Sequence, residues 1–216
     1  MAIAFNASQK ALVASGTSLT FSHTCAGSNL MLVLGVAYQT ASDDITATYN
    51  SVSMTKSAVT ASGARDYIFT LFAPSTGANN IVISSSGAAA TIQGMSASYT
   101  GVVQGNPEAT NTGVIAAASS ASLSITTIAA NAWVVGSINI GDNQTAVDSN
   151  GGQTSRQVYE ANDNGESALD DKGPTATPGS VNIGWSWSPN SAASGICLAS
   201  FAPAIRVGRR AFPIWL

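Results

Sequence analysis

Charge is what this chain has least of. Only 8 of its 216 residues are Lys or Arg and 11 are Asp or Glu, 9% together, against roughly a quarter in an average soluble protein. A net charge of −3 offers no basic surface for a phosphate backbone, so nucleic acid is not expected as a partner. There is one histidine, His23, and no Gly-x-Ser-x-Gly elbow to mark a nucleophile beside it. It lies in an alternating stretch and is expected as a strand residue with a hydrogen-bond partner. Cys25 and Cys197 form neither a C-x-x-C motif nor a Cys/His cluster, which excludes a structural zinc site. Nothing marks an oxidising compartment, so two buried free thiols are expected. No apolar run approaches the ~20 residues of a membrane span. The opening residues (MAIAFN) lack the charged start and apolar stretch of a signal peptide. No long segment repeats apolar residues at 3.6 spacing, so no helix is expected.

What the chain has instead is Ser, Thr, Asn, Gln and 20 Gly, a surface of hydroxyls and amides. Residues 30–36 (LMLVLGV) are a near-unbroken apolar run with turn chemistry on both sides, too short for a comfortable helix. They read as a fully buried strand. Residues 19–24 (LTFSHT) alternate ahead of it, as a strand with one wet face does. Further strands are expected at 45–49, 52–55, 67–72, 81–84 and 91–99, with Asn50-Ser51 as a two-residue turn. The second half restarts the pattern, with 123–126 (LSIT) and 131–138 (NAWVVGSI) repeating an alternating strand, a short turn and an apolar strand about 102 to 104 positions later. Two comparable halves are expected. Residues 141–180 are polar and read as long loops around a short strand at 156–159, followed by strands at 181–188 and 196–201. About a dozen short strands make an all-β, antiparallel β-sandwich, jelly-roll-like over 1–203, with an extended C-terminal arm at 204–216. Leu30, Leu32, Leu34, Phe69, Leu71, Trp133, Val135, Ile183 and Phe201 are expected in its core.

Three groups invite a chemical reading. The acidic residues Asp43, Asp44, Asp142, Asp163, Glu166, Asp170 and Asp171 are expected as solvated loop carboxylates. Pairs of them would be needed for glycoside hydrolysis, and the twelve-residue spacing of a calcium loop is incomplete. No metal, cofactor or catalytic residue is therefore expected. Trp185 and Trp187 share one strand face, which suits either a flat platform for sugar rings or, the favoured reading, the core. The tail concentrates Arg206, Arg209 and Arg210 and then ends on Phe212, Ile214, Trp215 and Leu216. Pro203 and Pro213 disfavour a helix, so it reads as an extended assembly arm that docks its apolar residues on a partner.

Taken in order, residues 18–24 (SLTFSHT), 29–36 (NLMLVLGV), 48–55 (TYNSVSMT) and 97–102 (ASYTGV) resemble a widespread, poorly characterised β-sandwich family. Its members occur in secreted bacterial surface proteins and, as short chains without a signal, among tailed-phage structural proteins. The resemblance covers about residues 1–203, implies the sandwich fold and carries no catalytic residues. Ser51 stands where glycine is usual, which argues against a tight primed turn there. The resemblance implies a non-enzymatic virion structural protein of a tailed bacteriophage, a head-decoration or fibre-type subunit. Its partners would be other virion proteins or copies of itself in a homo-oligomer. The alternative is a carbohydrate-binding or adhesive module of a secreted protein at the cell surface, with a host-surface glycan on the Trp185 and Trp187 platform.

Overall fold

The computed structural model describes residues 1–40, 45–60, 65–141, 145–160, 165–188 and 192–205. Among them there are seventeen strands and no helix. In chain order these are β1 (Ala4–Gly16), β2 (Ser18–Cys25), β3 (Met31–Tyr38), β4 (Ile45–Tyr49), β5 (Val52–Ser53), β6 (Thr55–Val59), β7 (Arg65–Phe72), β8 (Gly77–Ser85) and β9 (Ala90–Thr100). The second half continues with β10 (Ala109–Ala118), β11 (Ser120–Thr127), β12 (Ala132–Ile140), β13 (Thr145–Asn150), β14 (Thr154–Tyr159), β15 (Glu166–Thr175), β16 (Gly179–Ser188) and β17 (Ala192–Phe201).

The strands form four antiparallel sheets. The first half supplies an outer sheet, β2-β8-β4-β5, and an inner sheet, β1-β9-β3-β7-β6. The second supplies an inner sheet, β10-β17-β12-β15-β14, and an outer sheet, β11-β16-β13. With β6 and β14 set aside as added edges, the first half has the strand order of a jelly roll, two interleaved Greek keys. The second half repeats it without a counterpart of β5. The span 1–203, read from the sequence as one sandwich, thus holds two sandwiches stacked through their inner sheets.

The repeat extends far beyond the short motif visible in the sequence. Met31 opposite Tyr99 recurs as Trp133 opposite Phe201, and Cys25 opposite Gly77 as Thr127 opposite Gly179, every partner shifted by 102 positions. β2 and β11 bury the same alternate positions. Asn29 and Asn131, also 102 apart, both take left-handed backbone at φ 49° and 59° ahead of the inner strand, a conformation asparagine tolerates better than most residues. Where the halves meet, the Cβ position of Gly35 is 2.7 Å from Oγ of Ser137, its own counterpart. Equivalent residues touch in this way on a two-fold axis.

Stacking explains the unbroken apolar run at β3. An inner strand is covered on both sides, so it cannot alternate with polar residues. Leu32, Leu34, Val36 and Tyr38 enter the core beneath the first outer sheet. Met31 and Val33 enter the core between the inner sheets, beside Val135, Leu169, Cys197 and Phe201. A third core, with Val134, Ile138, Ile183, Trp185, Trp187 and Leu198, fills the second sandwich. Of the expected core residues, Leu71 and Trp133 are only partly buried and the rest are buried.

Two expectations are corrected here. The span 141–180 is not long loops: β13, β14 and β15 run through it, and β15 is hydrogen-bonded on both sides. The turn at Asn50-Ser51 is a primed one despite Ser51, with φ of 48° and 64° carrying the chain from Tyr49 to its cross-strand partner Val52.

Candidate functional site

The sequence residues with chemical potential fall in four places. His23 points inward from β2, 1% exposed, with Nδ1 2.8 Å from Ser96 Oγ and Nε2 2.9 Å from Ser98 Oγ. Burial pushes its pKa down to about 4, so the ring is neutral and has one N–H to give. Ser96 and Ser98 are themselves buried, which denies a substrate any approach to this Ser–His arrangement. In the second half, 102 positions on, Ile125 stands for His23 and Leu198 for Ser96. The position is a core position that the first half has filled with a satisfied polar cluster.

The carboxylates overturn the expectation of solvated loops. Glu166, Asp170 and Asp171 are buried on β15, and so is Asp66 on β7, a residue that sequence reasoning missed. Asp43, Asp44, Asp142 and Asp163 lie outside the described residues. β15 is an inner strand, so its successive residues face two different cores. Asp171 faces the first half and accepts from Tyr99 Oη at 2.7 Å and from Arg156 Nε at 2.6 Å and Arg156 NH2 at 3.0 Å. The Arg156 guanidinium also lies over the Phe5 ring at 3.9 Å, a cation–π contact that places both halves around one charge pair. Asp66 reaches in the opposite sense, accepting from Ser137 Oγ at 2.7 Å and from the Cys197 backbone N–H at 3.1 Å. Its burial pushes the carboxyl well above the ordinary carboxylate range. Gln93 closes the row by donating to the Gly165 carbonyl at 2.6 Å and accepting from Ser167 Oγ at 2.7 Å. These polar groups register the two sandwiches against each other. The signal for Asp66 in the sequence was its place in the same alternating set as Ile68 and Thr70, at the start of a dense β-forming run.

Asp170 faces the second sandwich, where Ser149 Oγ donates at 2.5 Å and Gln153 Nε2 at 2.7 Å, and burial raises its pKa. Glu166 shares that face four residues away. At about 3.3 Å per residue the two stand about 13 Å apart along the strand, beyond the roughly 9.5 Å upper limit for the carboxylate pair of a glycosidase. Among the described residues no cluster of metal-ligating side chains occurs. Cys25 and Cys197 are free and buried, in separate cores.

Trp185 and Trp187 are 0% and 4% exposed and belong to the core of the second sandwich. As a sugar platform they are corrected: on β16 odd-numbered side chains point inward, and neither indole presents a face to solvent. Arg206, Arg209, Arg210, Phe212, Ile214, Trp215 and Leu216 lie outside the described residues. The root of their segment is described. Val102 bridges to Pro203, Ala204 donates to the Gly101 carbonyl at 2.7 Å, and the Met1 amino group donates to the Ala204 carbonyl. Around this root Met1, Ile3, Pro174, Pro203, Ala204 and Ile205 line a largely apolar recess of about 450 Å³.

The outer sheets carry two further grooves at related positions. One, about 380 Å³, is formed by Asn50, Ser51, Ala78, Asn79, Asn80 and Val82. The other, about 450 Å³, has Ser120, Ser122, Asn150, Gly151, Asn182 and Gly184 among its lining residues.

The fold and these sites define an all-β protein of two stacked jelly rolls, held in register by buried polar groups. Compared with protein families, with curated proteins and with solved structures, the chain matches none of them significantly.

Proposed function

We propose that this chain is a non-enzymatic structural subunit of a tailed-phage virion, a head-decoration or fibre-type protein that works by packing against neighbouring subunits. The observation that carries the reading is the apolar surface at the root of the tail. Ile205 is 83% and Met1 44% exposed beside the recess of Met1, Ile3, Pro174 and Pro203, at the point from which Arg206 to Leu216 continue. Apolar surface concentrated at one end of a chain is a docking signature. A buried Trp or Phe contributes roughly 1.5–3 kcal/mol, so Phe212, Ile214, Trp215 and Leu216 suffice to hold a subunit in a repeating assembly. Arg206, Arg209 and Arg210 pair there with carboxylates of the neighbour. The virion setting is supported by the family resemblance.

Sedimentation velocity of the full chain and of a chain ending at Ile205 tests this. Ala204 is bonded into the fold, so that truncation spares the body. The full chain is expected to sediment as an oligomer and the truncated one as a folded monomer with unchanged circular dichroism. A truncated chain that unfolds, or one that assembles as before, refutes the arm.

A further inference from the structure

The two inner sheets have four edge strands among the described residues: β1 and β6 in the first half, β10 and β14 in the second. An edge is a template for another strand unless it is short, charged, bulged or covered. β6 has five residues, carries Lys56 and is bulged between Lys56 and Ala58. β14 is bulged between Ser155 and Gln157 and is covered from β1. Its carbonyls at Arg156 and Val158 accept from Ser8 Oγ at 3.2 Å and from Lys10 Nζ at 2.6 Å, and Gln157 Nε2 donates to Ser8 Oγ at 2.9 Å. The same contacts occupy β1, whose Lys10 also lies over the Tyr159 ring at 4.4 Å.

β10 has none of these protections. Its ten residues (ATNTGVIAAA) include no charge and no proline, and its ladder to β17 runs without a bulge from Ala109 to Ile115. The relation between the halves shows what is missing. Lys10 is opposite Met95; the counterpart of Met95, 102 positions on, is Cys197, which is opposite Thr112. By the same count Ser8 corresponds to Thr110 and Leu12 to Val114. Where the first half places the lysine and serine that cover β14, the second half places two exposed threonines. Apolar surface adjoins them. Val114 is 44% exposed, and β6, the first-half strand that packs against β10, adds Val59 at 37%.

Backbone direction decides which groups this edge offers. Gly141 N–H donates to the Ala193 carbonyl and Glu108 N–H to the Ser200 carbonyl, so odd-numbered residues of β17 turn their backbone groups to β12 and even-numbered ones to β10. Opposite the even set stand Ala109, Asn111, Gly113 and Ile115. That leaves the N–H and C=O groups of Thr110, Thr112 and Val114 on the outer edge. Thr112 N–H accordingly donates to no strand but to the adjacent Asn111 Oδ1 at 2.9 Å.

We infer that β10 pairs antiparallel with β10 of a second copy, about a two-fold axis at Thr112. This register sets Thr112 opposite its own image and Thr110 opposite Val114 of the other copy, so all three outer backbone positions of each strand are paired. Thr112 N–H exchanges the Asn111 oxygen for the carbonyl of its image. β-Branched side chains then face each other across the seam, a favourable cross-strand combination, and an uncharged strand meets its own image without repulsion. Self-pairing closes on two copies and joins their five-stranded inner sheets into one. A seam of one strand buries less than the roughly 1,200 Å² of a stable interface, so the dimer is weak, with a Kd of about 0.1–1 mM. A chain lacking the arm therefore stays monomeric at micromolar concentration, while repetition in an assembly gives the seam avidity. The inference does not depend on the assembly arm.

Thr112→Cys in the full chain tests the pairing and its register. Opposed residues of a hydrogen-bonded antiparallel pair lie about 5.5 Å apart at Cα, within disulfide range, and the native Cys25 and Cys197 are buried. Mild oxidation at about 0.5 mM protein should link two copies through residue 112, read by non-reducing electrophoresis and peptide mass. Ser122→Cys, exposed on the outer sheet, should stay unlinked. Adding Thr110→Lys and Val114→Lys sets like charges opposite each other across the seam and should slow the linkage at least about tenfold with an unchanged melting temperature. Thr110→Lys with Val114→Glu, which sets opposite charges there, should restore it. The inference is overturned if residue 112 does not link, if Ser122→Cys links as fast, or if the rate ignores the charges at 110 and 114.

Discussion

Because the chain holds a single histidine, its acid response can be followed at one residue. Burial holds the His23 pKa at about 4, below the ordinary 6.5. Between those two values the unfolded chain binds a proton that the folded chain refuses. The stability contributed by the neutral ring is therefore complete above about pH 6.5 and is lost as the pH falls through about 4. At 1.36 kcal/mol per pH unit that interval corresponds to about 3 kcal/mol. The ring is fully buried, so solvent screening takes little from this figure. Asp66 and Asp170 act in the opposite sense, since burial raises their pKa values and protonation then favours the folded state. A variant comparison separates the two effects. His23→Ile with Ser96→Leu copies the pair found at Ile125 and Leu198 in the second half and removes the titrating ring. Urea unfolding at pH 7.5 and 4.5 should show the wild type losing about 2–3 kcal/mol more than this variant, and the histidine ring signals should titrate near pH 4. A midpoint between 6 and 7, or equal losses in the two proteins, would show that the ring is not buried as described.

Two further perturbations test other parts of the structure. Tyr99→Phe removes the hydrogen bond that the first half gives to Asp171; a bond to a charged acceptor contributes roughly 1.5–3 kcal/mol, so at roughly 2–4 °C per kcal/mol for a chain of this size the melting temperature should fall by about 3–12 °C, and a change under about 1 °C would mean that the contact does not couple the halves. Ser51→Gly should stabilise the protein, because left-handed backbone costs a non-glycine residue roughly 1–2 kcal/mol and glycine's added entropy returns only about 0.5–1 kcal/mol of that; calorimetry showing a lower melting temperature would contradict the primed turn.

Much of the fold was legible because burial on one face or two leaves different marks. β2, β4 and β16 alternate, since each has one wet face, and the uninterrupted run at β3 announces a strand covered on both. β15 escaped for the converse reason. Its residues Glu166, Ser167, Asp170 and Asp171 look like a loop, yet all four are buried, and three of them meet side chains from elsewhere in the chain that supply hydrogen bonds or charge: Gln93 for Ser167, Arg156 and Tyr99 for Asp171, Ser149 and Gln153 for Asp170. Such partners lie up to 74 positions away, and no local pattern encodes them. The duplication was visible only at β2–β3 against β11–β12, where apolar periodicity survives; elsewhere the halves share strand order and register while their side chains have diverged, as at Ser96 on β9 and Leu198 on β17. The indoles of Trp185 and Trp187 carried the right alternation for either face, and only the sheet's position in the stack decides between them. The two polar grooves gave no sequence signal, since scattered Ser and Asn are the ordinary surface of this chain.

Mass spectrometry of gradient-purified phage particles from a strain carrying this gene tests the central proposal most directly. The account predicts peptides spanning residues 1–216 at a copy number comparable to that of the other structural proteins, retained through the gradient. For a gene whose product ends at Ile205 and so lacks Arg206 to Leu216, particles should lack the protein while the soluble fraction contains it folded. Particles free of the full-length chain, with the protein abundant elsewhere in the same culture, would contradict a structural role in the virion.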